Sequence, residues 1–210
     1  ASGDVVLVAG RSNTAVSEAT ALAAVQAVLS AVPNATVPPA LRRGNVVGAL
    51  QLGLAPVDVD HDALATLRLA AAGHLDLLVL LGADPINDCP DADLARRAIA
   101  GARHVISIDT LPSESTQQAD LVFPAAAFAE QRGTTTNLEG RVSRLNQKVT
   151  VHGTARPDWM IASELASVLG HDLGFTSIDD VTAAIAATVP AYASATPTAI
   201  DSADGVLAVN

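Results

Sequence analysis

Four short apolar runs, separated by stretches with helical spacing, constrain the fold of this chain most. They occupy residues 5–9, 75–81, 104–108 and 121–123, and each is followed by glycine, aspartate or proline. Runs of this length, bounded by turn residues, predict strands, and strands that alternate with helices predict a parallel sheet. We therefore predict an α/β fold with a doubly wound, mostly parallel sheet and helices on both of its faces.

The stretches between and after these runs predict the helices. Apolar residues recur every three or four positions over residues 13–33, 60–73, 91–101, 157–170 and 177–190. Each stretch begins near a residue that favours a helix start and ends at glycine or proline. Residues 134–136 and 142–144 are β-branched or alternating, and the turn residues between them predict a hairpin or irregular turn.

Several expectations about burial follow from the same patterns. The run at 75–81 is apolar except for Asp76, which is typical of a strand buried on both faces, and we expect 5–9 to be a buried strand as well. Residues 33–56 are rich in proline and glycine and predict a long loop, and the small polar residues from 191 onward predict a loosely held terminus. The helix that starts at Pro157 is expected to bury one apolar face, formed by Trp159, Ala162, Leu165 and Leu169.

Two domains are expected within a chain of 210 residues. Residues 1–130 form a Rossmann-like α/β domain, and residues 131–210 form a hairpin and helical extension packed on it. The chain opens on Ala1 and enters a strand almost at once, so we interpret it as a fragment of a longer protein. The segment 125–128, Ala-Ala-Ala-Phe, is a candidate for an apolar face that the longer protein covers.

Charge and cysteine content exclude several classes of function. The net charge of -10 disfavours nucleic acid as a partner, because that affinity comes mostly from neutralising phosphates. The basic pairs 42–43 and 96–97 are interpreted as solvated surface. Cys89 is the single cysteine, so the chain alone builds no disulfide and no cysteine-ligated cluster. No apolar stretch approaches the roughly 20 residues of a membrane-spanning helix, so no membrane insertion is expected.

Three loops lie where a parallel sheet binds ligands, beyond the carboxyl ends of its strands. The first, 10–14, offers backbone N–H groups at a helix start and could hold an anion or simply cap the helix. The second, 82–87, places Asp84 where it could accept a hydrogen bond from a base or ribose, or cap a helix. The third, 109–115, places Asp109 where a carboxylate grips a ribose hydroxyl, or where it has a structural role.

Catalytic and metal signatures are missing from the sequence. Neither the dinucleotide fingerprint nor the P-loop occurs, and no Gly-x-Ser-x-Gly motif is present. The five histidines lack metal-binding spacing, and Cys89 has no basic neighbour in sequence. We therefore predict no catalytic residue and no metal ligand.

Ordered motifs over about half of the chain resemble the molybdopterin oxidoreductase superfamily. They read Gly-Ala-Asp-Pro at 82–85, Asp-Thr at 109–110, Ala-Asp-Leu-Val-Phe-Pro-Ala at 119–125, Gly-Thr-Thr-Thr-Asn-Leu-Glu-Gly-Arg at 133–141, and Ala-Arg-Pro-Asp-Trp at 155–159. Segments 41–49 and 53–56 are also similar to that superfamily. The sequence of residues 134–145 resembles that of the G subunits of bacterial NADH-quinone oxidoreductase, respiratory complex I, of the actinobacterial type.

The second resemblance implies a structural domain without chemistry of its own in the hydrophilic arm of complex I. It also implies iron-sulfur clusters elsewhere in the parent chain, no cofactor in this fragment, other arm subunits as partners, and a peripheral location on the cytoplasmic side of the bacterial inner membrane. The strand-end loops would then be vestiges of a pterin-nucleotide site. Their candidate residues are Gly82, Asp84, Asn87, Asp109, Thr110, Ser113 and Glu114.

The superfamily resemblance leaves two alternatives open. In a molybdenum or tungsten enzyme such as a formate dehydrogenase, the same loops would contact the nucleotide half of a guanine dinucleotide molybdopterin. A stand-alone nucleotide-binding or scaffold domain fits the expected fold but leaves the ordered motifs unexplained. In the vestigial case we expect Asp84 and Asp109 to cap helices or to meet neighbouring backbone.

Overall fold

The computed structural model describes residues 5–9, 18–38, 44–202 and 204–208. The chain divides into two compact units, Ala1–Val46 and Val47–Asn210. Within the described residues, no helix is both long enough and apolar enough to cross a bilayer. The domain boundary expected near residue 130 stays a prediction.

The first unit contains a parallel strand pair joined through a helix. Strand β1 (Val5–Val6) pairs with β2 (Ala35–Thr36), and helix α1 (Glu18–Ala31) lies between them in sequence. This order matches the predicted strand and helix. The expected burial of the first strand is wrong, because Val6 and Val8 are 61% and 69% exposed. The loop 10–14 and the expected helix start at residue 13 lie outside the described residues.

A three-stranded parallel sheet forms the centre of the second unit. Its strands are β3 (Leu78–Leu81), β4 (Val105–Asp109) and β5 (Leu121–Pro124), paired in that order. Leu81 lies opposite Ile108, which lies opposite Phe123. The α/β class, the parallel pairing and these three strands confirm the prediction.

Eight further helices and three short helical turns are found in the described residues from Val46 onward. The helices are α2 (Val46–Gln51), α3 (Ala63–Ala71), α4 (Pro85–Asp88), α5 (Ala92–Gly101), α6 (Glu114–Gln117), α7 (Asp158–Val168), α8 (Ile178–Thr188) and α9 (Pro197–Ile200). The turns are the 3₁₀ segments Val59–His61, Phe128–Glu130 and Pro190–Tyr192. The expectation of an unbroken loop over 33–56 is wrong, because α2 and β2 lie inside it. The buried position of α2 is Gly48, which has no side chain, so the sequence shows no apolar residue at helical spacing there.

Helices α3 and α5 cover one face of the parallel sheet. Leu67 of α3 and Leu94 of α5 belong to the same buried cluster as Leu78, Leu80 and Val105 of the strands. The two helices approach closely at Gly101, where an added Cβ would overlap the backbone oxygen of a residue in α3. A glycine is therefore required at this position for sterically close helix packing.

Helix α7 lies against the other face of the sheet. Its Ile161 is buried with Ile108 and Ala125, while Leu165 is partly buried beside them. The expected burial of the full apolar face of α7 is wrong, since Leu169 is 75% exposed. Trp159, Ala162, Leu165 and Leu169 instead line an open hollow of about 560 Å³.

The same hollow exposes part of β3. Val79 and Leu81 point into it and are 49% and 59% exposed, so β3 is buried on one face only, against our expectation. The segment 125–128 also differs from its prediction. Ala125 and Ala126 are buried, and only Phe128, at 71% exposure, presents a large apolar surface there.

A second sheet, antiparallel, is built from the later part of the chain. It contains β6 (Gly133–Thr136), β7 (Arg141–Leu145) and β8 (Val206–Leu207) in that order. The side chain of Asn137 closes the turn between β6 and β7 by accepting from the backbone N–H groups of Glu139 and Arg141, each at 2.9 Å. The predicted hairpin is confirmed.

The C-terminal residues form a buried cluster, which overturns the expected loose terminus. Ala191, Tyr192, Ala195, Ile200 and Ala208 are buried around Val142 of β7. Half of the buried residues in this cluster are alanines, whose small side chains give no strong apolar pattern in the sequence. The predicted start of α8 at Ser177 is confirmed by a reciprocal pair of capping hydrogen bonds with Asp180.

Candidate functional site

The candidate site begins where β3 and β4 end. The N–H of Gly82 donates to the carbonyl of Ile108 at 2.8 Å, so the loop after β3 starts beside the end of the ladder with β4. Gly82 has a φ of +57, and a Cβ built on it meets nothing within 4 Å. The left-handed backbone favours glycine there, and the space beside it is open.

Asp84 follows Gly82 and forms hydrogen bonds with two side chains. The hydroxyl of Ser115 donates to its Oδ1 at 2.5 Å, and the amide of Asn87 donates to its Oδ2 at 2.6 Å. Partial burial raises the pKa of Asp84, but the hydrogen bonds from Asn87 and Ser115 outweigh burial and hold the pKa below its ordinary value of 3.8. The group is therefore a carboxylate at neutral pH.

The carboxylate of Asp84 is not a conventional helix cap. Asp84 stands at the N-cap position of α4, yet its side chain forms no capping hydrogen bond; its backbone carbonyl accepts from Asn87 and Asp88 instead. Each carboxylate oxygen offers about two acceptor positions. The Asn87 and Ser115 side chains each take one of these positions, and the backbone N–H groups of the same two residues also lower the pKa of Asp84.

Asp109 ends β4 and borders a cavity. Its Oδ1 accepts from the backbone N–H of Thr110 at 2.7 Å, and its carbonyl accepts from Ala125 at 2.9 Å. The cavity measures about 280 Å³ and lies beyond the ends of β4 and β5. Its lining residues are Asp109, Thr110, Leu111, Pro112, Thr116, Gln117, Val122 and Pro124.

Ser113 and Glu114 are engaged in holding α6. Ser113 and Thr116 exchange hydrogen bonds in a capping box. Glu114 accepts from Nε and a terminal nitrogen of Arg96 at 2.7 and 3.1 Å, and the hydrogen bond from Arg96 holds the pKa of Glu114 below its ordinary value. Arg96 is therefore more than the solvated surface residue that we expected, because it joins α5 to α6.

The pKa of Asp158, on α7, is affected by Asp109 at the end of β4. Asp158 lines the open hollow beside Val79, and burial together with the negative charge of Asp109 raises its pKa. Asp158 had no signal in the sequence beyond its place in the motif at 155–159. Its proximity to Asp109 results from the packing of α7 over the end of β4.

The structure thus brings most of the predicted residues to one edge of the sheet. Ser115, which sequence reasoning did not single out, joins the two loops through Asp84 across 31 positions of sequence. No group of three or more potential metal ligands occurs among the residues described. The absence of a metal ligand and of a catalytic residue stays a prediction.

Comparison with known proteins identifies the family to which this chain belongs. The family model described as Molybdopterin oxidoreductase matches residues 9–168. The chain belongs to the molybdopterin oxidoreductase family. The match spans the parallel sheet, both strand-end loops, the hairpin and α7.

Several curated relatives share this domain. The chain is 34% identical, over 74% of its length, to the NADPH-Fe(3+) oxidoreductase subunit alpha of Geobacter sulfurreducens, of which it covers 21%. It is 32% identical over 68% of its length to the F420-dependent formate dehydrogenase 2 subunit alpha of Methanococcus maripaludis, of which it covers 20%. The assimilatory nitrate reductase catalytic subunit of Bacillus subtilis is 34% identical over 52% of the chain and 16% of that subunit.

The solved structure of acetylene hydratase from Pelobacter acetylenicus has the same fold over part of the domain. The TM-score is 0.51 at 17% identity, covering 56% of this chain and 17% of that one. The chain spans about a fifth of the length of these curated relatives.

Proposed function

We propose that this chain contributes the nucleotide-binding region of a molybdenum- or tungsten-containing pterin oxidoreductase. The observation that carries the proposal is the placement of Asp84 and Asp109 in loops that leave adjacent parallel strands, the position at which open α/β sheets bind nucleotides. Relatives named as formate dehydrogenase and nitrate reductase subunits support this assignment over a purely structural one.

The described residues fit the nucleoside part of a guanine dinucleotide molybdopterin. Asp84 is a carboxylate at neutral pH, which suits a donor such as a ribose hydroxyl. Open space lies beside the Gly82 backbone, and the cavity of about 280 Å³ at Asp109 and Thr110 is close to the lower limit of small-molecule pockets. The cofactor, when bound, supplies the redox chemistry at its metal.

The role of this chain is to bind and orient the nucleotide end. Asp84 and Asp109 accept hydrogen bonds from sugar or base, and Thr110 lines the cavity beside Asp109. Arg96 is engaged by Glu114 and also contacts Asp93 at 3.4 Å, so it is not available as a free phosphate ligand. The proposal therefore assigns nucleoside recognition, and no diphosphate contact, to this edge.

Guanosine diphosphate is the probe that tests this assignment. Isothermal titration calorimetry with the 210-residue chain should show micromolar binding that is lost on Asp109→Ala. Asp76→Ala is the matched control, because Asp76 precedes β3 at the opposite end of the sheet and is paired there with Arg103 at 3.6 Å. Failure of the unmodified chain to bind, or equal loss in both variants, would contradict nucleotide recognition at this edge.

A structural role in the complex I arm, as part of its G-type chain, is the second candidate. It is favoured by one observation, that Ser115 and Asn87 already satisfy part of the Asp84 carboxylate without any ligand. The chain would then be a scaffold in the hydrophilic arm, with the other arm subunits as partners, on the cytoplasmic side of the membrane. Iron-sulfur clusters would lie elsewhere in the parent chain.

Metal analysis of the parent protein separates the two candidates. Near-stoichiometric molybdenum or tungsten in protein purified from its natural source supports the pterin oxidoreductase. Iron without molybdenum or tungsten, together with copurifying NADH dehydrogenase subunits, supports the complex I scaffold and overturns our first proposal.

A further inference from the structure

Ser115 is the side chain that joins the two strand-end loops. It lies on α6, after β4, and is fully buried. Its hydroxyl donates to Oδ1 of Asp84 at 2.5 Å and accepts from the backbone N–H of Ile86 at 3.2 Å. Both partners belong to the segment that follows β3, so a single hydroxyl group connects the two loops twice.

The hydrogen bonds of Ser115 fix the direction of the Asp84 carboxylate. A hydroxyl has one donor hydrogen, and Ser115 uses it on Asp84. The neighbouring residues Thr116 and Gln117 line the cavity beside Asp109. The short helix α6 therefore contributes to the cavity wall and holds Asp84 at the same time.

We propose that Ser115 is a positioning residue of the nucleotide site, whose hydroxyl holds the Asp84 carboxylate in its binding orientation and couples the loop after β3 to the loop after β4. This inference rests on the proposed nucleotide-binding function. It assigns no direct ligand contact to Ser115, which acts through Asp84.

A second buried serine shows that burial alone does not carry the inference. Ser107 lies on β4 and is fully buried, and its hydroxyl has no hydrogen-bond partner within the described part of the chain. Removal of the Ser107 hydroxyl breaks none of the contacts that Ser115 makes. Ser107→Ala is therefore a matched control for Ser115→Ala, with the same atoms removed from a similarly buried position.

The test compares guanosine diphosphate binding by the full 210-residue chain and its variants. Ser115→Ala loses a hydrogen bond to a charged group, so its dissociation constant for guanosine diphosphate should rise about tenfold. Ser107→Ala should retain the affinity of the unmodified chain. Ser115→Cys fills the same space with a weak donor and should also weaken binding, which covers the case in which Ser115→Ala does not fold.

The pH dependence distinguishes positioning from a general structural effect. Without the Ser115 hydrogen bond the pKa of Asp84 rises, so binding should be lost on acidification at a higher pH than in the unmodified chain. Carbon-13 NMR titration of Asp84 measures the same change directly. A general loosening of the fold would weaken binding without this shift.

The outcomes separate this inference from the function on which it rests. If the unmodified chain does not bind guanosine diphosphate, the proposed function and the role of Ser115 both fail. If it binds, and the folded Ser115 variants match its affinity and its pH profile, the nucleotide site stands and the positioning role of Ser115 is refuted.

Discussion

Replacement of Arg144 by methionine should destabilise the C-terminal part of the fold by about 2 kcal/mol. The Arg144 side chain is 5% exposed and donates to Asp201 at 2.8 Å, to Asp179 at 2.9 Å and to the carbonyl of Pro197 at 3.0 Å. These contacts join β7 to α8 and α9. Methionine approximates the length of the arginine stem but makes none of the three hydrogen bonds.

The size of the stability loss follows from the three lost hydrogen bonds and from the hydration that the two carboxylates regain. The hydrogen bond to the Pro197 carbonyl contributes a net ~1 kcal/mol. The pairs with the two half-exposed carboxylates contribute ~0.5 kcal/mol each, so the total is about 2 kcal/mol. The Asp179 and Asp201 side chains are 46% and 57% exposed, so water resolvates them and the cost stays below that of an abandoned buried charge. About 2 kcal/mol should lower the midpoint of thermal unfolding by roughly 4–8 °C in a chain of this size.

Urea and thermal unfolding followed by circular dichroism measure this loss. The control is Arg97→Ala, since Arg97 is an exposed arginine on α5. If Arg144→Met unfolds at the same midpoint as this control, the three hydrogen bonds do not contribute to stability and the reasoning is refuted.

The pH dependence of the same variant has a defined sign. The hydrogen bond from Arg144 holds the pKa of Asp201 below its ordinary value of 3.8 in the folded protein. This contribution to stability is present above the ordinary value and is lost as pH falls through the lower folded-state value. The stability difference between the unmodified chain and Arg144→Met should therefore shrink on acidification below about pH 4; an unchanged difference would contradict the assigned pairing.

Two further substitutions test packing and buried hydrogen bonding. Gly101→Ala places a Cβ against the backbone of α3 and should cost about 1–3 kcal/mol by overpacking, whereas Gly133→Ala, which meets nothing within 4 Å, should leave the urea midpoint unchanged. Tyr192→Phe removes the hydroxyl that forms hydrogen bonds with Thr136 at 2.8 Å and Gln51 at 3.0 Å. It should lower the free energy of unfolding by about 1–2 kcal/mol in the same urea assay. An unchanged urea midpoint would show that these hydrogen bonds do not contribute to stability.

Local patterns account for the elements that the sequence predicted well. Helix α5 begins after Asp91, whose side chain accepts from the N–H of Leu94 at 2.9 Å, and it ends at Gly101, as expected. The apolar runs became β3, β4 and β5 because each is short and bounded by turn residues. Such signals act between neighbours in sequence and can therefore be seen without the fold.

Features that depend on distant partners were missed. The apolar sequence of β3 could not show that Val79 and Leu81 remain exposed, because that depends on where α7 ends its coverage of the sheet. Half of the buried cluster around Tyr192 is alanine, and the burial of these alanines has no periodic signature in the sequence. Nothing in the sequence distinguishes Ser115 from other serines, and only the fold brings it to Asp84. The position of the two loops at the carboxyl edge of the sheet was therefore predictable, whereas their coupling through Ser115 was not.

The pairing of β8 with β7 has a consequence for the order of folding. Arg141 lies opposite Leu207 in the ladder, so 66 positions of sequence separate two adjacent residues. During synthesis the hairpin of β6 and β7 leaves the ribosome before its third strand exists, whereas the parallel sheet ends at residue 124 and can form much earlier. Closing so long a loop is slow. The antiparallel sheet should therefore acquire protection from proteolysis later than the parallel sheet.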